Sequence, residues 1–359
     1  MPTTVMKHYC DCCDAPAWTT EFHGVSEMLR SQTWRGRMLW LSIITTIVTL
    51  GAFSTYTVIA DYTSKPTATR ITLQPVKKLQ FPKITVCPKN PDSLRWDLIR
   101  EDFNQTLSMV SNVSVEDLVA FVLAGSGFDN FELSVNAWSA TDVDKLEQAY
   151  NKWRGNQSVH AFFVHLDERY GYRCHDLFPV GGCLLGERQL NCCEIFEPRY
   201  VMRRGKCFST KLLYQTDSDE IGKFTLNVKQ MISPLIGPNG LQPQIVVYVS
   251  DNYPAIPDFP RYYLNVHEWN RMRFTAKNIE LIPRPDICSN ESSAKGRGTC
   301  FVNQWLNSNV ITPFNCTFPY MVDLAPPNLT VCHPADVVRN YKPAVISRWT
   351  QDTVSCFKL

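Results

Sequence analysis

Cysteines are the residues of this sequence with the clearest capacity for chemistry, because they form disulfides, bind metals or accept lipids. Of the 14 cysteines, 11 follow residue 80 and fall into two groups. The first group is Cys87, Cys174, Cys183, Cys192, Cys193 and Cys207, and the second is Cys288, Cys300, Cys316, Cys332 and Cys356. These spacings lack the paired C-x-x-C of a zinc site, which favours disulfides. Because 11 is odd, at least one thiol is expected to lack an intrachain partner.

The remaining cysteines, Cys10, Cys12 and Cys13, lie near the N-terminus with His8. Four metal ligands so close in sequence leave little room to surround an ion, so a metal site is not favoured. Palmitoylation and unmodified reduced thiols are the alternatives. No metal and no cofactor are predicted.

Six asparagines stand in the N-x-S/T pattern that accepts N-linked glycans. They are Asn104, Asn112, Asn156, Asn290, Asn315 and Asn328. All of them lie on the same side of one long apolar run as the later cysteines. Glycosylation and disulfide formation both occur in the oxidising secretory and extracellular compartments. The sequence therefore predicts that residues 61–359 are extracellular.

The apolar run covers residues 38–60 and contains 23 residues without a formal charge. As a helix it would be about 35 Å long, against a hydrocarbon core of roughly 30 Å, so it predicts a membrane-spanning segment. A signal peptide would be shorter and closer to the N-terminus, and a buried core helix seldom runs uncharged for so long. Residues 1–37 are then expected in the cytosol. The chain is expected in the plasma membrane, with the lipid bilayer as one of its partners.

Strands and helices must position the cysteines of the outer region. Stretches rich in Ile, Val and Thr predict strands within 68–90 and over 224–229, 244–251 and 273–282. Helical spacing of apolar residues occurs over 118–125 and 143–153, with expected N-terminal caps at Ser114 with Asp117 and at Thr141 with Asp144. The predicted fold class is an α+β membrane protein, with one N-terminal transmembrane helix and a disulfide-rich β-sheet ectodomain that carries helical insertions. The net charge of +2 gives no indication of a nucleic-acid partner.

Three motifs occur in a fixed order along the chain. Thr20, His23 and Gly24 form a Thr-x-x-His-Gly pattern before the apolar run, and G-K-C-F occupies residues 205–208. Between them stands F-P-x-I-T-x-C-x-x-N, whose residues include Phe81, Pro82, Thr85, Cys87 and Asn90. Together these motifs resemble the degenerin and epithelial sodium channel family, which includes the acid-sensing and peptide-gated channels. The resemblance covers about residues 15–356.

The resemblance implies a palm sheet with finger, knuckle, ball and thumb subdomains, assembled as a homo- or hetero-trimer. The palm would take 61–90 and about 205–285, the finger region about 91–204, and an incomplete thumb about 286–359.

Disulfide pairings are also implied. Cys87 would pair with Cys207, and Cys183 would pair with Cys192 or Cys193 in the finger region. The later cysteines, from Cys288 to Cys356, would link the thumb.

The resemblance implies a gating role for Thr20, His23 and Gly24 beneath the pore. Glycine permits close backbone approach, and histidine can donate and accept hydrogen bonds near neutral pH. One departure is Pro16, where the family usually has a phenylalanine. The charged run at 203–206, RRGK, is interpreted as a solvated turn.

Channels of this family conduct sodium ions through a pore lined by a second transmembrane helix. No apolar run after residue 60 reaches the roughly 17 residues that a crossing needs, so no second crossing is expected. The expected function is a truncated subunit of a sodium-permeable, amiloride-sensitive cation channel that cannot form a pore alone. The alternative is a single-pass receptor-like or dominant-negative glycoprotein that retains the channel ectodomain. No hydrolase, phosphate-loop or zinc-protease motif occurs, so an enzyme is not predicted.

Overall fold

The computed structural model describes residues 24–64, 78–106, 113–217, 221–274 and 296–347. The chain divides into two compact units, Met1–Pro75 and Val76–Leu359. The described part of the first unit contains a short helix, α1 (Val25–Arg30), and a long helix, α2 (Trp34–Thr63).

Helix α2 contains the apolar run and extends beyond it at both ends. Its 30 residues correspond to about 45 Å of helix. The Thr33 hydroxyl caps its start by accepting a hydrogen bond from the Gly36 amide at 3.3 Å. Threonines inside the helix donate to a carbonyl one turn earlier, as Thr45 does to Leu41 at 2.7 Å, so their hydroxyls need no water. Within the described ranges, α2 is the one helix long and apolar enough to cross a membrane.

The second unit alternates helices with short strands. Its helices are α3 (Trp96–Thr106), α4 (Val115–Gly125), α5 (Glu132–Ala137), α6 (Ala140–Arg154), α7 (Val159–Tyr170), α8 (Cys174–Leu177), α9 (Cys192–Ile195), α10 (Arg297–Leu306), α11 (Thr312–Phe314) and α12 (Pro334–Arg339). Its strands are β1 (Leu79–Gln80), β2 (Lys83–Pro88), β3 (Cys183–Leu185), β4 (Arg188–Leu190), β5 (Phe196–Val201), β6 (Gly205–Thr210), β7 (Tyr214–Gln215), β8 (Phe224–Leu226), β9 (Gln244–Ser250), β10 (Tyr262–Asn265), β11 (Cys316–Thr317) and β12 (Thr330–Val331). Two wider, π-helical segments, Asn307–Ile311 and Lys342–Ile346, follow α10 and α12.

Five strands form a central antiparallel sheet in the order β10-β9-β2-β6-β5. Strand β2 lies in the middle, where Val86 is paired with Phe208 of β6 and with Val247 of β9. Successive side chains alternate between the two faces. Val86 and Val247 therefore pack in one apolar cluster, whereas Cys87 and Val246 pack in another. Both faces of β9 are buried from Ile245 to Tyr248, which explains its nearly continuous apolar sequence.

The second unit also contains three smaller sheets among its described residues. One has three strands in the order β4-β3-β8, and two more have two strands each, β1-β7 and β11-β12. The strand predicted over 244–251 is confirmed as β9, and that over 224–229 is confirmed as the shorter β8. The strand predicted over 273–282 falls almost wholly outside the described residues.

The largest apolar core lies in the helical layer. Helix α4 is buried from Leu118 to Gly125, and Phe121 shares a core with Trp305 and Phe318 from the C-terminal part. A Cβ at Gly125 would lie 2.6 Å from the Pro334 Cα atom, so glycine allows α4 to touch the start of α12. This core thus combines residues that precede β5 in sequence with residues that follow β10.

The starts of α4, α6 and α7 are set by serine caps. The predicted helices over 118–125 and 143–153 are confirmed within α4 and α6, and Ser114 caps α4 by accepting from the Asp117 amide at 3.0 Å. The predicted cap at Thr141 is wrong. Ser139 caps α6 instead, because its hydroxyl accepts from the Asp142 amide at 3.3 Å while the Asp142 carboxylate accepts from the Ser139 amide at 3.1 Å. This reciprocal pair satisfies two backbone amides that have no partner within the helix.

Strand β5 joins the central sheet although the sequence analysis places its residues in the finger region. Its sequence contains Pro198, which lacks an amide hydrogen. A proline is tolerated there because β5 lies at the edge of the sheet and needs partners on one side only.

Candidate functional site

The F-P-x-I-T-x-C-x-x-N motif forms the middle of the central sheet. Phe81 and Pro82 lead into β2, and the Phe81 ring packs edge-on against Phe224 at 6.4 Å between ring centres. Thr85 is fully buried, and its hydroxyl bonds to the Ser209 hydroxyl on β6. Phe81 thus packs against β8, and Thr85 links β2 to β6.

Two residues after Thr85, Cys87 forms a disulfide with Cys207 of β6. The two Cα atoms are 4.5 Å apart, and the bond joins residues 120 positions apart in sequence. Both cysteines are fully buried. The bond therefore closes the base of the whole segment that carries α3 to α9.

Two further disulfides lie within residues 91–204, the range predicted as the finger region. Cys183 pairs with Cys192, and Cys193 pairs with Cys174. The bond between Cys174 and Cys193 was not predicted from the sequence. The signal for it is the adjacent pair Cys192 and Cys193, since two neighbouring cysteines cannot both bond to Cys183.

In the C-terminal part, Cys316 pairs with Cys332, and Cys300 is also disulfide-bonded. Four disulfides thus have both cysteines within the described residues. Cys288 and Cys356 lie outside those residues.

The last motif residue, Asn90, is the centre of a buried hydrogen-bond network. Its amide donates to the Gln242 side chain at 2.9 Å, and its carbonyl accepts from the same side chain at 3.0 Å. Its side chain donates to the Ser233 hydroxyl at 2.9 Å, and Ser233 donates to Asp92 at 2.8 Å. The Leu235 amide donates to the other Asp92 oxygen at 2.8 Å. The network fastens the segment after β2 to the segment before β9.

Arg203 and Arg204 correct the interpretation of RRGK as a solvated turn. They form the tight hairpin turn between β5 and β6, where Arg203 adopts a φ of 61°, but both are buried, with 3% and 2% exposure. Arg204 Nη2 lies 3.1 Å from Asp129 Oδ2 and 3.2 Å from Asp258 Oδ1. Arg203 Nη2 lies 3.4 Å and 3.1 Å from the same two carboxylates. We call these four residues the ionic cluster.

Arg203 and Arg204 also form hydrogen bonds with other parts of the fold. Arg203 donates to the Val345 carbonyl at 2.9 Å, and its own amide donates to the Tyr320 hydroxyl at 3.0 Å. Arg204 donates to the Lys89 carbonyl at 2.6 Å. The hairpin turn is therefore tied both to the segment after β2 and to the C-terminal helical part.

Burial governs the electrostatics of this cluster. It raises the pKa of the Asp129 carboxyl above its ordinary value, with Arg204 opposing the rise and Asp258 adding to it. Burial lowers the pKa of the Arg204 guanidinium, but Asp129, Tyr248 and Asp258 together raise it by more, so its pKa lies above the ordinary value. Arg204 thus stays charged and requires the carboxylates as partners.

The other predicted site residues lie at the surface or outside the described residues. Thr20 and His23 are outside them, while Gly24 begins α1 with a φ of 95° and approaches Ile44 of α2. Four sequon asparagines are described and exposed, namely Asn104, Asn156, Asn315 and Asn328. Asn112 and Asn290 lie outside the described residues. In the described ranges, no group of three or more His, Cys, Asp or Glu side chains converges as metal ligands would.

Similarity to a known protein family covers most of the chain. The profile of the family described as amiloride-sensitive sodium channel matches residues 17–336. The chain is 32% identical to the bile acid-sensitive ion channel of Mus musculus over 166 residues, which are 43% of this chain and 33% of that protein. It is 34% identical to the channel of that name from Rattus norvegicus over 166 residues, with the same two shares, 43% and 33%. With that of Homo sapiens it is 34% identical over 74 residues, which are 21% of this chain and 15% of that protein.

The match to the rodent relatives thus spans about a third of their length. The family profile, in contrast, includes α2, the disulfide between Cys87 and Cys207, the ionic cluster and the bond between Cys316 and Cys332. Because it extends over most of the sequence, this chain belongs to the amiloride-sensitive sodium channel family.

Proposed function

We propose that this chain is a subunit of a sodium-permeable, amiloride-sensitive cation channel in the plasma membrane. The observation that carries the proposal is the order of features within the family match. An exposed apolar helix long enough to cross a bilayer, α2, precedes a disulfide-linked sheet that contains the family motif. Family membership supports channel activity and oligomeric assembly.

In this proposal α2 crosses the membrane with the N-terminus in the cytosol and the second unit outside the cell. The exposed positions of Asn104, Asn156, Asn315 and Asn328 support this orientation, because a glycan can be attached only to an accessible asparagine. The buried disulfides of the second unit support it as well, since they form in an oxidising compartment. Thr20, His23 and Gly24 would then lie on the cytosolic side as a gating motif.

The chain acts in a trimer with other subunits of the family, and sodium ions pass through the assembled pore. Selectivity requires a ring of carbonyls or side chains at a pore constriction. Among the described residues, α2 alone could cross the membrane. In the assembled channel, neighbouring subunits would contribute helices to the shared pore.

A second candidate is a single-pass receptor-like glycoprotein that retains the ectodomain without taking part in conduction. The exposed sequon asparagines and the disulfide-linked second unit would suit such a glycoprotein as well. The two functions differ in whether the chain enters a conducting complex.

Co-expression separates them. The 359-residue chain is expressed alone and together with a full-length family member, and amiloride-sensitive sodium current is recorded in both cases. We expect no current from the chain alone, and an altered current together with co-purification in the mixture. Failure to co-purify or to change the current would favour the receptor. A selective current from the chain alone would contradict the need for other subunits.

A further inference from the structure

One of the sequons contains a cysteine of a disulfide. In Asn315-Cys316-Thr317, Cys316 stands between the acceptor asparagine and the threonine of the N-x-T pattern. Cys316 is bonded to Cys332. Asn315 is exposed, whereas Cys316 and Thr317 form the strand β11 and are both buried. The same three residues would therefore have to serve two covalent modifications.

The Thr317 hydroxyl is enclosed by the fold. Thr317 has 0% exposure, and its carbonyl accepts a hydrogen bond at 2.9 Å from the Cys332 amide, directly after β12. Among the described residues, the Thr317 hydroxyl has no hydrogen-bond partner. An unpaired buried hydroxyl costs free energy that a valine of similar shape would not. Packing in the folded protein therefore does not account for a threonine at this position.

The glycosylation pattern requires a hydroxyl at its third residue, so the transferring enzyme must reach this group as well as the asparagine. At Asn328 the third residue is Thr330, and at Asn156 it is Ser158, and both of these are exposed. The folded protein thus presents those two sequons completely. Of the Asn315 sequon it presents only the asparagine.

We propose that Asn315 receives its glycan only before the bond between Cys316 and Cys332 closes, so that disulfide formation determines how many chains carry this glycan. In the transfer, the Asn315 amide nitrogen loses a proton and bonds to the anomeric carbon of a lipid-pyrophosphate-linked oligosaccharide, whose pyrophosphate leaves with the electron pair. In the competing step, the two thiols lose two protons and two electrons to a disulfide-bearing oxidoreductase, which becomes a dithiol. The inference rests on the proposed function, because the second unit must enter the oxidising lumen during synthesis.

The order of the residues gives the transfer a short lead. Cys332 follows Cys316 by 16 residues, which take roughly 1–3 s to synthesise at about 5–20 residues per second. During that time β12 does not yet exist, so Thr317 is accessible. Afterwards the two reactions compete for the same chains, and we expect partial occupancy of Asn315. A glycan attached early remains outside the fold, because Asn315 itself is exposed.

Translation of the full chain with endoplasmic-reticulum microsomes, with and without dithiothreitol, tests this competition. Occupancy of each sequon is measured by mass spectrometry after a glycosidase converts the glycosylated asparagines to aspartate in heavy-oxygen water. Cys332→Ser removes the partner of Cys316. Cys193→Ser is the matched control, because it makes the same change in the disulfide with Cys174 and leaves β11 and β12 unaltered. Thr317→Val tests whether the hydroxyl serves the transfer alone.

We expect dithiothreitol and Cys332→Ser each to reduce the unoccupied fraction of Asn315 at least twofold, and Cys193→Ser to leave it unchanged. Occupancy of Asn156 and Asn328 should be the same in all samples. Thr317→Val should abolish the Asn315 glycan, while its melting temperature after deglycosylation stays at or above that of the deglycosylated wild type.

The outcomes separate this inference from the proposed orientation. Glycans on Asn156 and Asn328, together with an Asn315 occupancy that neither dithiothreitol nor Cys332→Ser changes, would overturn this inference alone. An equal change in Cys193→Ser would overturn the specific role of the bond to Cys332. A lower melting temperature for Thr317→Val would overturn the assignment of its hydroxyl to the transfer. Absence of glycans from every sequon would overturn the orientation, and this inference with it.

Discussion

At the scale of single residues, the ionic cluster concentrates four buried charges in one hairpin turn and its surroundings. Replacing Arg204 with methionine removes the nearer of the two arginines that contact Asp129, at 3.1 Å against 3.4 Å for Arg203, whereas Asp258 keeps Arg203 and Arg261. Breaking a buried pair in this way typically costs about 3–5 kcal/mol. We expect Arg204→Met to lower the free energy of unfolding by an amount in that range, measured by urea denaturation with tryptophan fluorescence.

The matched control is Arg199→Met on the neighbouring strand β5. Arg199 pairs with Glu197 at 3.1 Å, but both side chains are partly exposed, at 28% and 37%. Exposed pairs contribute less than about 1 kcal/mol. Equal destabilisation by the two substitutions would show that burial does not determine how much an ion pair contributes to the free energy of unfolding.

A second residue-scale prediction concerns Asp92, a buried carboxylate in the Asn90 network. Burial raises its pKa above the ordinary value of 3.8, and the hydrogen bonds from Ser233 and Leu235 oppose the rise only in part. The folded protein therefore binds this proton more tightly than the unfolded chain does. Its contribution to stability is fully present below pH 3.8 and is lost as the pH rises through the higher folded-state pKa.

We expect Asp92→Asn to remove this component, so that the melting temperature of the variant falls less than that of the wild type as the pH rises above 4. Asp142→Asn is the control with the opposite sign, because hydrogen bonds from Ser139 lower the pKa of Asp142. The stabilisation by Asp142 is present above its ordinary pKa and is lost on acidification. Identical pH profiles for the wild type and Asp92→Asn would contradict the raised pKa.

The residues of the ionic cluster show where sequence reasoning ends. Two adjacent arginines in a turn are normally exposed, and their partners Asp129 and Asp258 lie 74 and 55 positions from Arg203. Nothing in the local pattern links these positions. By contrast, Cys87 and Cys207 stand in recognisable motifs, and the resemblance that joins those motifs implies the bond that the structure contains.

At the scale of secondary-structure elements, the bond between Cys87 and Cys207 links two neighbouring strands across a very long loop. In the chain-entropy model, a loop of 120 residues is worth roughly 5 kcal/mol, and one of 19 residues roughly 3 kcal/mol. We expect Cys87→Ser with Cys207→Ser to destabilise the protein more than Cys174→Ser with Cys193→Ser. Secretion yield and urea midpoints measure the two effects.

An opposite order of the two double variants would mean that loop length does not govern their contribution. Each double variant replaces two cysteines with serine, so both variants lose the same number of sulfur atoms. The burial of Cys87 and Cys207 adds to the expected difference, because serine places a hydroxyl in an apolar cluster.

Elements with strong periodicity were predictable, and those governed by tertiary contacts were not. Helices α4 and α6 and strand β9 follow directly from apolar spacing. Strand β5 does not, because its proline and charged residues indicate a loop, and only the pairing with β6 makes it a strand. The start of α6 was misplaced by two residues because Ser139 and Thr141 offer similar hydroxyl groups for the cap.

At the scale of the whole molecule, the proposed membrane-spanning role of α2 gives a direct test. Val48 lies at its centre and is exposed on its surface. An arginine at the centre of a spanning helix costs roughly 2.5–3.5 kcal/mol, whereas one near the end reaches the polar interface. We expect Val48→Arg to reduce the glycosylated, alkali-resistant fraction of the protein made in cells, and Tyr62→Arg to leave it nearly unchanged.

The six sequons serve as the reporter in that measurement, because each glycan adds mass that a glycosidase removes. A wild-type protein without glycans would contradict the proposed orientation. Equal membrane fractions for the two arginine variants would contradict the assignment of α2 as the spanning segment.

The central position of β2 has a consequence for synthesis in the cell. Its partners are residues such as Ser209 and Val247, which follow it by more than a hundred positions. At about 5–20 residues per second, β2 emerges from the ribosome roughly 6–30 s before those partners do. During that interval β2 has both hydrogen-bonding edges open, so the new chain is most exposed to wrong strand pairing before β9 is made and closes the sheet.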